Sequence, residues 1–252
     1  MNILLTGAPG YAGRGIAEVL AAKHKVRGVT FGDTEAALKK CACQEMLPAD
    51  IADYEACREL LKGMDAMVLC HMAPNPQGYK IPPPAFDVNV KGTANLYHAA
   101  GELGVKKAVL ISTQGVIAQT PAKTGDAQAG IGPYNFTDSN HGLYVLTKIF
   151  QECIARYYFV NFGIATAVLR PGWIVYDGEL ITKYGEKMDR YHRELIDPRD
   201  IGTATSAALA LPDLKLESFN LGQADLNLDM TSTQTRLKWA ARHRFASLPR
   251  VP

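Results

Sequence analysis

Tyr144 and Lys148 are the residues of this chain whose types and spacing best fit acid–base chemistry. They stand four residues apart in a predicted helix, so both side chains project from one face. An ammonium group beside a phenol favours the ionised phenol and lowers its pKa from about 10 toward the working range. We therefore expect Tyr144 to exchange a proton with a substrate hydroxyl or carbonyl, with Lys148 as its activator.

The position of this pair matters more than the pair itself, because tyrosine and lysine often fall four residues apart by chance. The pair lies on the helix after the fifth predicted strand, and Thr113 ends that strand. A hydroxyl at a strand end can bind the reacting oxygen of a substrate, although it can also cap its own backbone. We expect Thr113, Tyr144 and Lys148 to form one catalytic group.

A glycine-rich turn directly follows the first predicted strand and opens a helix. Its glycines have the spacing GxxGxxG, which lets backbone N–H groups approach a pyrophosphate at the positive end of the helix. A turn of this kind without a ligand is the alternative. We assign the turn to a dinucleotide cofactor, through Gly7, Gly10, Tyr11, Ala12 and Gly13.

Asp50 and Ile51 follow the third predicted strand. A carboxylate there can accept the adenine amino group, and Ile51 would flank the ring. The alternative for Asp50 is to cap the next helix, a role for which Asp53 is the better candidate.

The choice between NAD and NADP depends on the end of the second predicted strand, where an acidic residue usually binds the ribose 2′-hydroxyl. Thr30 occupies that position, and Asp33 could lie near enough to substitute. No arginine follows that could pair with a 2′-phosphate. We expect NAD as the cofactor and leave NADP open.

The elements that must position these residues alternate between short apolar runs and longer helical patterns. This pattern predicts parallel strands joined by helical crossovers, a doubly wound α/β sheet of the Rossmann type. The predicted strands are Ile3–Leu5, Val26–Val29, Cys43–Leu47, Ala66–Leu69, Ala108–Ile111 and Thr166–Leu169. The predicted long helices are Phe86–Leu103, Gly142–Phe162 and Pro198–Leu211.

We expect residues 1–175 to form the dinucleotide-binding domain, to which the helix over 198–211 returns. Residues 176–197 and 212–252 would form a small C-terminal substrate-binding lobe.

Two irregular stretches, residues 75–84 and 121–140, leave the sheet at the edge where cofactors bind, and we interpret them as walls of the substrate pocket rather than plain surface loops. The substrate contacts that we assign are Pro74, Asn75, Gln114, Asn140 and Trp173.

Composition excludes several classes of function. The 252 residues carry a net charge of +2, so nothing points to nucleic acid or to an anionic membrane as a partner. Five cysteines without CxxC spacing indicate a reduced protein, and Cys41 and Cys43 lack a second ligand pair for a metal. The N-terminus has no signal-peptide pattern, and no apolar run has the length of a membrane helix. We expect a cytoplasmic protein without a metal.

Together these motifs resemble the extended short-chain dehydrogenase/reductases, the family of nucleotide-sugar epimerases and dehydratases. The resemblance runs from Asn2 to about Gly222. It also includes the segments Asp65–Ala73, Asn89–Leu96, Arg170–Gly172 and Asp197–Asp200.

The resemblance implies an NAD(P)-dependent oxidoreductase with Tyr144 as its acid–base group. It further implies that Met72 and Ala73 contact the adenosine-ribose side of the cofactor, that Lys148 also holds the nicotinamide ribose, and that Pro171 flanks the nicotinamide. Asn89 would support the cofactor-binding strands. His71 has no implied chemistry, and we expect it to be structural.

Departures from the family pattern reduce the number of substrate classes that we expect. Gln114 and Gly115 stand where sugar-nucleotide dehydratases carry an Asp-Glu pair, which argues against elimination. Many members are longer, with a lobe that grips a nucleotide diphosphate, whereas the short form is similar to uronate dehydrogenases. We therefore expect hydride transfer to or from a small polyhydroxylated substrate, a sugar or sugar acid.

Two alternatives remain open, an epimerase that retains its NAD and a non-catalytic dinucleotide sensor. Family members often dimerise through the helices near Phe86–Leu103 and Gly142–Phe162. Ile149, Cys153 and Tyr157 are compatible with such a homodimer, although core packing explains them equally well.

Overall fold

The computed structural model describes residues 1–73, 79–118 and 143–250. Within this part of the chain, seven parallel strands form one sheet, and two short strands form a second. The strands are β1 (Asn2–Thr6), β2 (Lys25–Thr30), β3 (Glu45–Pro48), β4 (Ala66–Leu69), β5 (Lys107–Ile111), β6 (Ala165–Pro171), β7 (Trp173–Ile174), β8 (Leu195–Ile196) and β9 (Leu216–Leu221).

Helices connect these strands in the alternating order that the sequence predicts. They are α1 (Tyr11–Ala21), α2 (Thr34–Leu38), α3 (Tyr54–Leu61), α4 (Pro82–Ala85), α5 (Gly92–Glu102), α6 (Gly115–Ala118), α7 (Leu143–Phe162), α8 (Pro198–Ala210) and α9 (Thr231–Thr235). A π-helical segment, Phe86–Lys91, joins α4 to α5, so the predicted helix Phe86–Leu103 begins earlier and contains a wider turn than expected.

Both faces of the sheet are buried, as alternate residues of β1 show. Ile3 and Leu5 pack into one core with α1 and α8, whereas Leu4 packs into a second core with α3, α5 and α7. A strand that is buried on both sides reads as a continuous apolar run, which is why these strands could be predicted. The doubly wound Rossmann-type α/β fold is confirmed.

The order of strands in the main sheet is β3-β2-β1-β4-β5-β6-β9. The chain order reverses between β1 and β4, and in open α/β sheets the crevice at this reversal receives ligands beyond the carboxyl ends of the strands. The glycine-rich turn follows β1, and residues 70–73 follow β4. The fold therefore brings the predicted cofactor motifs together.

β9 differs from the sequence-based expectation. We placed residues 212–252 in the small lobe, but β9 pairs in parallel with β6 and extends the main sheet. Its sequence, LESFNL, has Glu217, Ser218 and Asn220 among its six residues and so lacks the apolar run of the central strands. The expected return of residues 198–211 to the main domain is realised as α8, which packs beside α1.

A small apolar cluster supports the segment between β7 and β8. It consists of Val175, Met188, Leu195, Phe245 and Leu248. This cluster anchors residues 176–188 beside the edge of the sheet where the glycine turn lies.

Two buried carboxylates at the start of α8 hold the C-terminal residues in place. Asp197 caps α8, accepts a hydrogen bond from the Asp177 backbone and forms an ion pair with Arg199 at 2.7 Å. Asp200 accepts from the backbone N–H of Arg242 and His243. These bonds give the Asp197–Asp200 motif a structural role, away from the catalytic group.

Candidate functional site

The glycine turn is shaped so that side chains cannot occupy it. Gly7 has a φ of +66°, and a Cβ there would lie 2.9 Å from the Cys70 carbonyl oxygen. A Cβ on Gly13 would lie 2.1 Å from the Gly7 carbonyl oxygen. The turn is therefore a tight backbone cradle that larger residues would fill.

This cradle fits a dinucleotide pyrophosphate. Gly10 is the N-cap of α1 and carries no side chain that could satisfy the first N–H groups of the helix. Those N–H groups and the helix dipole together favour an anion. The backbones of Gly10, Tyr11, Ala12 and Gly13 are the groups that would hold it.

The Tyr11 side chain connects the glycine turn to the small lobe. Its hydroxyl donates to the Ile181 carbonyl and accepts from the Tyr176 N–H at 3.3 Å. The rings of Tyr11 and Tyr176 also meet edge to face, with centroids 5.3 Å apart. The phosphate cradle and residues 176–181 are thus held against each other.

On the adenosine side, Asp50 is exposed and Ile51 is buried. Asp50 Oδ1 accepts from the Ala52 N–H at 2.8 Å, which leaves its second carboxylate oxygen open to a ligand. The Ile51 side chain packs against Gly92 at the start of α5 and is 7% exposed, so the expected contact of this side chain with adenine remains a prediction. Asp53 caps α3, as predicted.

The end of β2 gives no acidic ligand for a ribose. Thr30 is buried, and its carbonyl accepts from the Ala49 N–H. Asp33 Oδ1 accepts from the N–H groups of Glu35 and Ala36 and so caps α2. The same cap explains why a helix forms directly after the strand, and it gives Asp33 a structural function that the sequence analysis did not assign.

His71, after β4, is a buried structural residue. Its Nδ1 lies 2.8 Å from the Thr6 hydroxyl, and its Nε2 lies 3.0 Å from the Thr93 hydroxyl and 3.2 Å from the Gln151 amide. Burial lowers the pKa of His71 to about 3, so the ring is neutral at physiological pH. It ties β1, β4, α5 and α7 together.

Asn89 holds the strand-end backbone and α7 at fixed positions. It is fully buried in the π-helical segment, and its Oδ1 accepts from the Ala73 N–H at 2.9 Å. Its Nδ2 donates to the hydroxyls of Tyr79 and Thr147. Thr147 lies one residue before Lys148, so Asn89 links the backbone at Ala73 to the turn of α7 that carries the expected catalytic pair.

The hydroxyls of Tyr144 and Thr113 are joined by a hydrogen bond. Thr113 Oγ1 also accepts from the Gly115 N–H at 3.2 Å, so Thr113 caps its own backbone, and its contact with the reacting oxygen of a substrate stays a prediction. The Tyr144 ring packs edge to face against Tyr79, with centroids 5.2 Å apart. The geometry thus brings Thr113 and Tyr144 together at the carboxyl end of β5.

Lys148 lies one turn further along α7 than Tyr144 and is more deeply buried. Its ammonium donates to the Ile111 carbonyl at 2.9 Å and lies 6.0 Å from the centre of the Tyr144 ring. The residue is 4% exposed, and burial lowers the pKa of Lys148 to about 8. The described bonds use one of its three donors.

The pKa of Tyr144 differs from our expectation. Burial raises the pKa of its phenol, and the nearby Tyr79 raises it further, whereas the Thr113 hydrogen bond lowers it. The Lys148 ammonium is directed toward the Ile111 carbonyl, and its own pKa is lowered. In this state of the molecule the phenol is therefore protonated at neutral pH, and desolvation outweighs the effect of the neighbouring cation.

One turn further along α7, Glu152 forms a fully buried ion pair with Arg170. The shortest distance is 2.6 Å, from Arg170 Nη2 to Glu152 Oε2, and both side chains are 0% exposed. The Ser112 hydroxyl also donates to Glu152, at 2.6 Å. This cluster fixes α7 against β5 and β6 and so sets the depth at which Lys148 lies.

Three expected substrate or nicotinamide contacts lie near the carboxyl ends of β5 and β6. They are Gln114, Pro171 and Trp173. Gln114 donates through Nε2 to the Leu221 carbonyl at 2.9 Å, so its amide is partly committed to joining β5 and β9. Pro171 ends β6 in a buried position, and its carbonyl accepts from the Gln114 N–H. Trp173 is 55% exposed and packs on His192, with centroids 4.8 Å apart.

The other expected substrate contacts, Pro74, Asn75 and Asn140, lie outside the described residues, as does the whole of the predicted loop 121–140. Their assignment stays a prediction.

Residues 182–186 form the tip of a small hairpin in the lobe, which no motif in the sequence indicated. Ile181 and Lys187 pair across it, and the Lys183 ammonium lies 3.5 Å from the Met72 sulfur. Tyr184, at the same tip, is close enough to raise the pKa of Tyr144. The sole local signal was Gly185, which has a φ of +85° in the turn.

In residues 1–73, 79–118 and 143–250, no three His, Cys, Asp or Glu side chains are grouped so that they could hold a metal ion. In the same ranges, no helix combines the length and apolar character needed to cross a membrane. All five cysteines are free thiols, and the sulfurs of Cys41 and Cys43 lie 3.6 Å apart.

Comparison with known proteins identifies relatives along the whole chain. An L-arabinose 1-dehydrogenase (NAD(P)(+)) from Haloferax volcanii is 29% identical over 98% of this chain and 98% of its own. A uronate dehydrogenase from Pseudomonas syringae pv. tomato is 30% identical over 68% of this chain, which corresponds to 58% of its own length.

The fold also has solved counterparts. A UDP-glucuronic acid 4-epimerase from Bacillus cereus, solved with UDP-glucuronic acid and NAD, superposes with a TM-score of 0.77 at 17% identity, over 98% of this chain and 96% of its own. The model of the NAD dependent epimerase/dehydratase family matches residues 3–222. The family predicted from the sequence is confirmed: this chain belongs to the NAD dependent epimerase/dehydratase family.

Proposed function

We propose that the protein is an NAD(P)-dependent oxidoreductase that transfers hydride to or from a sugar or sugar acid. The observation that carries the proposal is the Tyr144–Thr113 hydrogen bond, with buried Lys148 on the same helix face, at the sheet edge that also holds the glycine cradle. A proton donor, a second hydroxyl and a cation converge there beside a dinucleotide site.

The nicotinamide ring, when bound, supplies the hydride chemistry. Thr113 would orient the reacting oxygen of the sugar, and Tyr144 would exchange a proton with that oxygen. Lys148 has donors left for a ribose hydroxyl, as the resemblance to the family implies. The backbone of Gly7–Gly13 would bind the pyrophosphate, and Asp50 would accept from the adenine amino group.

The cofactor that we propose is NAD. The sequence has no basic residue between Thr30 and Leu38, and Asp33 caps α2 through Oδ1, which leaves its second carboxylate oxygen for a ribose hydroxyl. NADP remains the alternative, because the Haloferax volcanii relative is named for both cofactors.

The relatives support dehydrogenation of a free sugar. One is named for L-arabinose and another for uronate, and the first aligns with this chain over nearly its full length. The second candidate function is a sugar or nucleotide-sugar epimerase that retains its NAD, which the fold of the UDP-glucuronic acid 4-epimerase favours. The two differ in whether hydride leaves with the cofactor or returns to the sugar.

We further propose a homodimer in the cytoplasm. One face of α7 exposes Phe150 (36%), Tyr157 (57%) and Val160 (70%), and Cys153 is partly buried on the same face. Ile149, in contrast, is 3% exposed and belongs to the core. A contiguous apolar face of this kind is typical of an interface.

The test is a screen of matched sugars with each cofactor. D-galacturonate, D-galactose and L-arabinose share their ring configuration and differ only at the exocyclic carbon. Formation of reduced cofactor, followed by absorbance, supports the oxidoreductase. Conversion of a sugar without net cofactor reduction, by protein that carries bound NAD after purification, supports the epimerase instead. Absence of both activities would contradict an enzymatic function.

A further inference from the structure

Lys183 is an exposed cation beside Met72, and within the described residues it has no anionic partner. Its ammonium has two neighbours within the described part of the chain, the Met72 sulfur at 3.5 Å and the face of the Tyr184 ring, with the centroid 4.8 Å away. A thioether is a weak acceptor, and no carboxylate of the described residues lies within 4 Å. A lysine that only served solubility would not need to point at a sulfur.

The hairpin that carries Lys183 is built and anchored. Ile181 pairs with Lys187 across it, and the Thr182 N–H donates to the Glu186 carbonyl at 2.8 Å. Met188 anchors its end in the apolar cluster of the lobe. Tyr11 holds its start through the Ile181 carbonyl. Both ends are therefore fixed, and the tip is presented at a defined place.

That place lies beside the residues that follow β4, where the Lys183 ammonium contacts the Met72 sulfur. The charge of Lys183 also lowers the pKa of Lys148 and that of Cys70, so the tip is close enough to act on the buried Lys148. Tyr184, next to it, raises the pKa of Tyr144 and Tyr79. The two ammonium groups thus repel each other, and an anion bound near Lys183 would relieve that repulsion.

We propose that Lys183 binds an anionic oxygen group, and we assign that group to the carboxylate of the substrate. The substrate class is then a sugar acid rather than a neutral aldose. This inference rests on the proposed function and deepens it. The alternative source of the same chemistry is the pyrophosphate of the cofactor, but the N-terminus of α1 already faces that group, whereas Lys183 and Tyr184 act on the catalytic residues.

The experiment compares Lys183→Met with Lys187→Met, which removes one exposed positive charge from the base of the same hairpin. Two matched sugar pairs are used, D-galacturonate with D-galactose and D-glucuronate with D-glucose. For Lys183→Met we expect KM for the preferred acid to rise by about 10- to 100-fold, the usual effect of losing a charged hydrogen bond. KM for the neutral sugar should change by less than about 3-fold, and the KM values of Lys187→Met should equal those of the wild type.

Binding measurements separate the two sources of anion. Titration of NAD against Lys183→Met, followed by protein fluorescence, should give a wild-type Kd. Calorimetry of the sugar acid with Tyr144→Phe, with and without Lys183→Met, should show the same loss of affinity without turnover. Lys183→Arg should restore most of the affinity for the acid and shows that the hairpin still folds.

Three results would overturn the assignment: equal losses for acid and neutral sugar, a weakened Kd for NAD, or a wild-type enzyme that prefers the aldose. In each of these cases the oxidoreductase itself stands. If no sugar is oxidised by the wild type, the proposed function fails, and this inference fails with it.

Discussion

Helix α7 carries two buried charges four residues apart, and they are paired very differently. Glu152 receives bonds from Ser112 and from two nitrogens of Arg170, all within the protein. Lys148 has the Ile111 carbonyl as its acceptor, and its pKa falls to about 8. The Glu152 carboxylate is thus paired within the protein, whereas the Lys148 ammonium keeps donors for a ligand.

On this one helix, Glu152 therefore positions the backbone, and Lys148 is available for the reaction. A buried ion pair with all its bonds made holds α7 in place and has no capacity left for a substrate. A buried cation with donors to spare costs stability in the free protein, and functional sites are where such costs are retained. Mutations at the two places should therefore affect different observables.

Tyr144→Phe is expected to have the largest effect. Loss of the proton donor should lower kcat by about 10²- to 10⁴-fold while the Kd for NAD stays the same. Tyr157→Phe is the matched control, since Tyr157 lies on the same helix, is 57% exposed and should be dispensable to within a few-fold. Steady-state kinetics with the best sugar, together with fluorescence titration of NAD, measures both. Wild-type turnover by Tyr144→Phe would contradict the assignment.

Arg170→Met should act on stability instead. It leaves the buried Glu152 carboxylate without its arginine, which is expected to reduce the free energy of unfolding by about 3–5 kcal/mol in urea titrations. The double variant Glu152→Leu with Arg170→Met removes both charges and should recover much of that loss. If the single variant unfolds like wild type, the cluster does not hold α7.

Lys148→Met is expected to change stability in the opposite direction. The folded pKa of about 8 lies below the ordinary value of 10.5, so the unfolded chain binds the proton more tightly than the folded one. The wild type therefore carries the full penalty below pH 8 and loses it as the pH rises toward 10.5. The variant should gain about 1–3 kcal/mol at pH 7 and nothing at pH 10.5, while its activity falls.

Urea titrations of Lys148→Met at pH 7 and at high pH test this sign. A loss of stability at pH 7 would mean that the bond to the Ile111 carbonyl outweighs the cost of burying the cation.

The pH dependence of the reaction is the most diagnostic effect, and it needs no substitution. Because the pKa of Tyr144 is raised, the base form needed to oxidise a sugar becomes more abundant as the pH increases. We expect kcat/KM for oxidation to rise by up to about tenfold per pH unit from pH 6, and to flatten above pH 8, where Lys148 loses its proton. Rates at closely spaced pH values would show a flat profile if the phenol were already ionised.

Much of the fold was predictable because burial on both faces leaves apolar runs in the sequence. β4 lies at Ala66–Leu69, as predicted, and β1 extends the prediction by one residue at each end. β9 was missed because polar residues interrupt its apolar ones, and the π-helical turn at Phe86–Lys91 leaves no periodic signal.

The positions of site residues near strand ends could be predicted from the sequence. Properties that depend on burial, such as a pKa, could not. Thr113 and Tyr144 meet as their places in the chain indicated. The direction of the pKa of Tyr144 was wrong, because a spacing of four residues does not reveal that the Lys148 ammonium is directed at a carbonyl. Lys183 lies in an irregular segment, where neither period nor motif identifies it.

The Tyr11 hydroxyl makes two binding events depend on each other. It touches residues 176 and 181 of the lobe from inside the phosphate cradle. A dinucleotide that orders the cradle also orders the lobe, and reciprocity requires that the sugar strengthen the dinucleotide by the same factor. The measurable consequence is equal synergy in both directions: saturating sugar should lower the Kd of the dinucleotide by the same factor by which saturating dinucleotide lowers the Kd of the sugar.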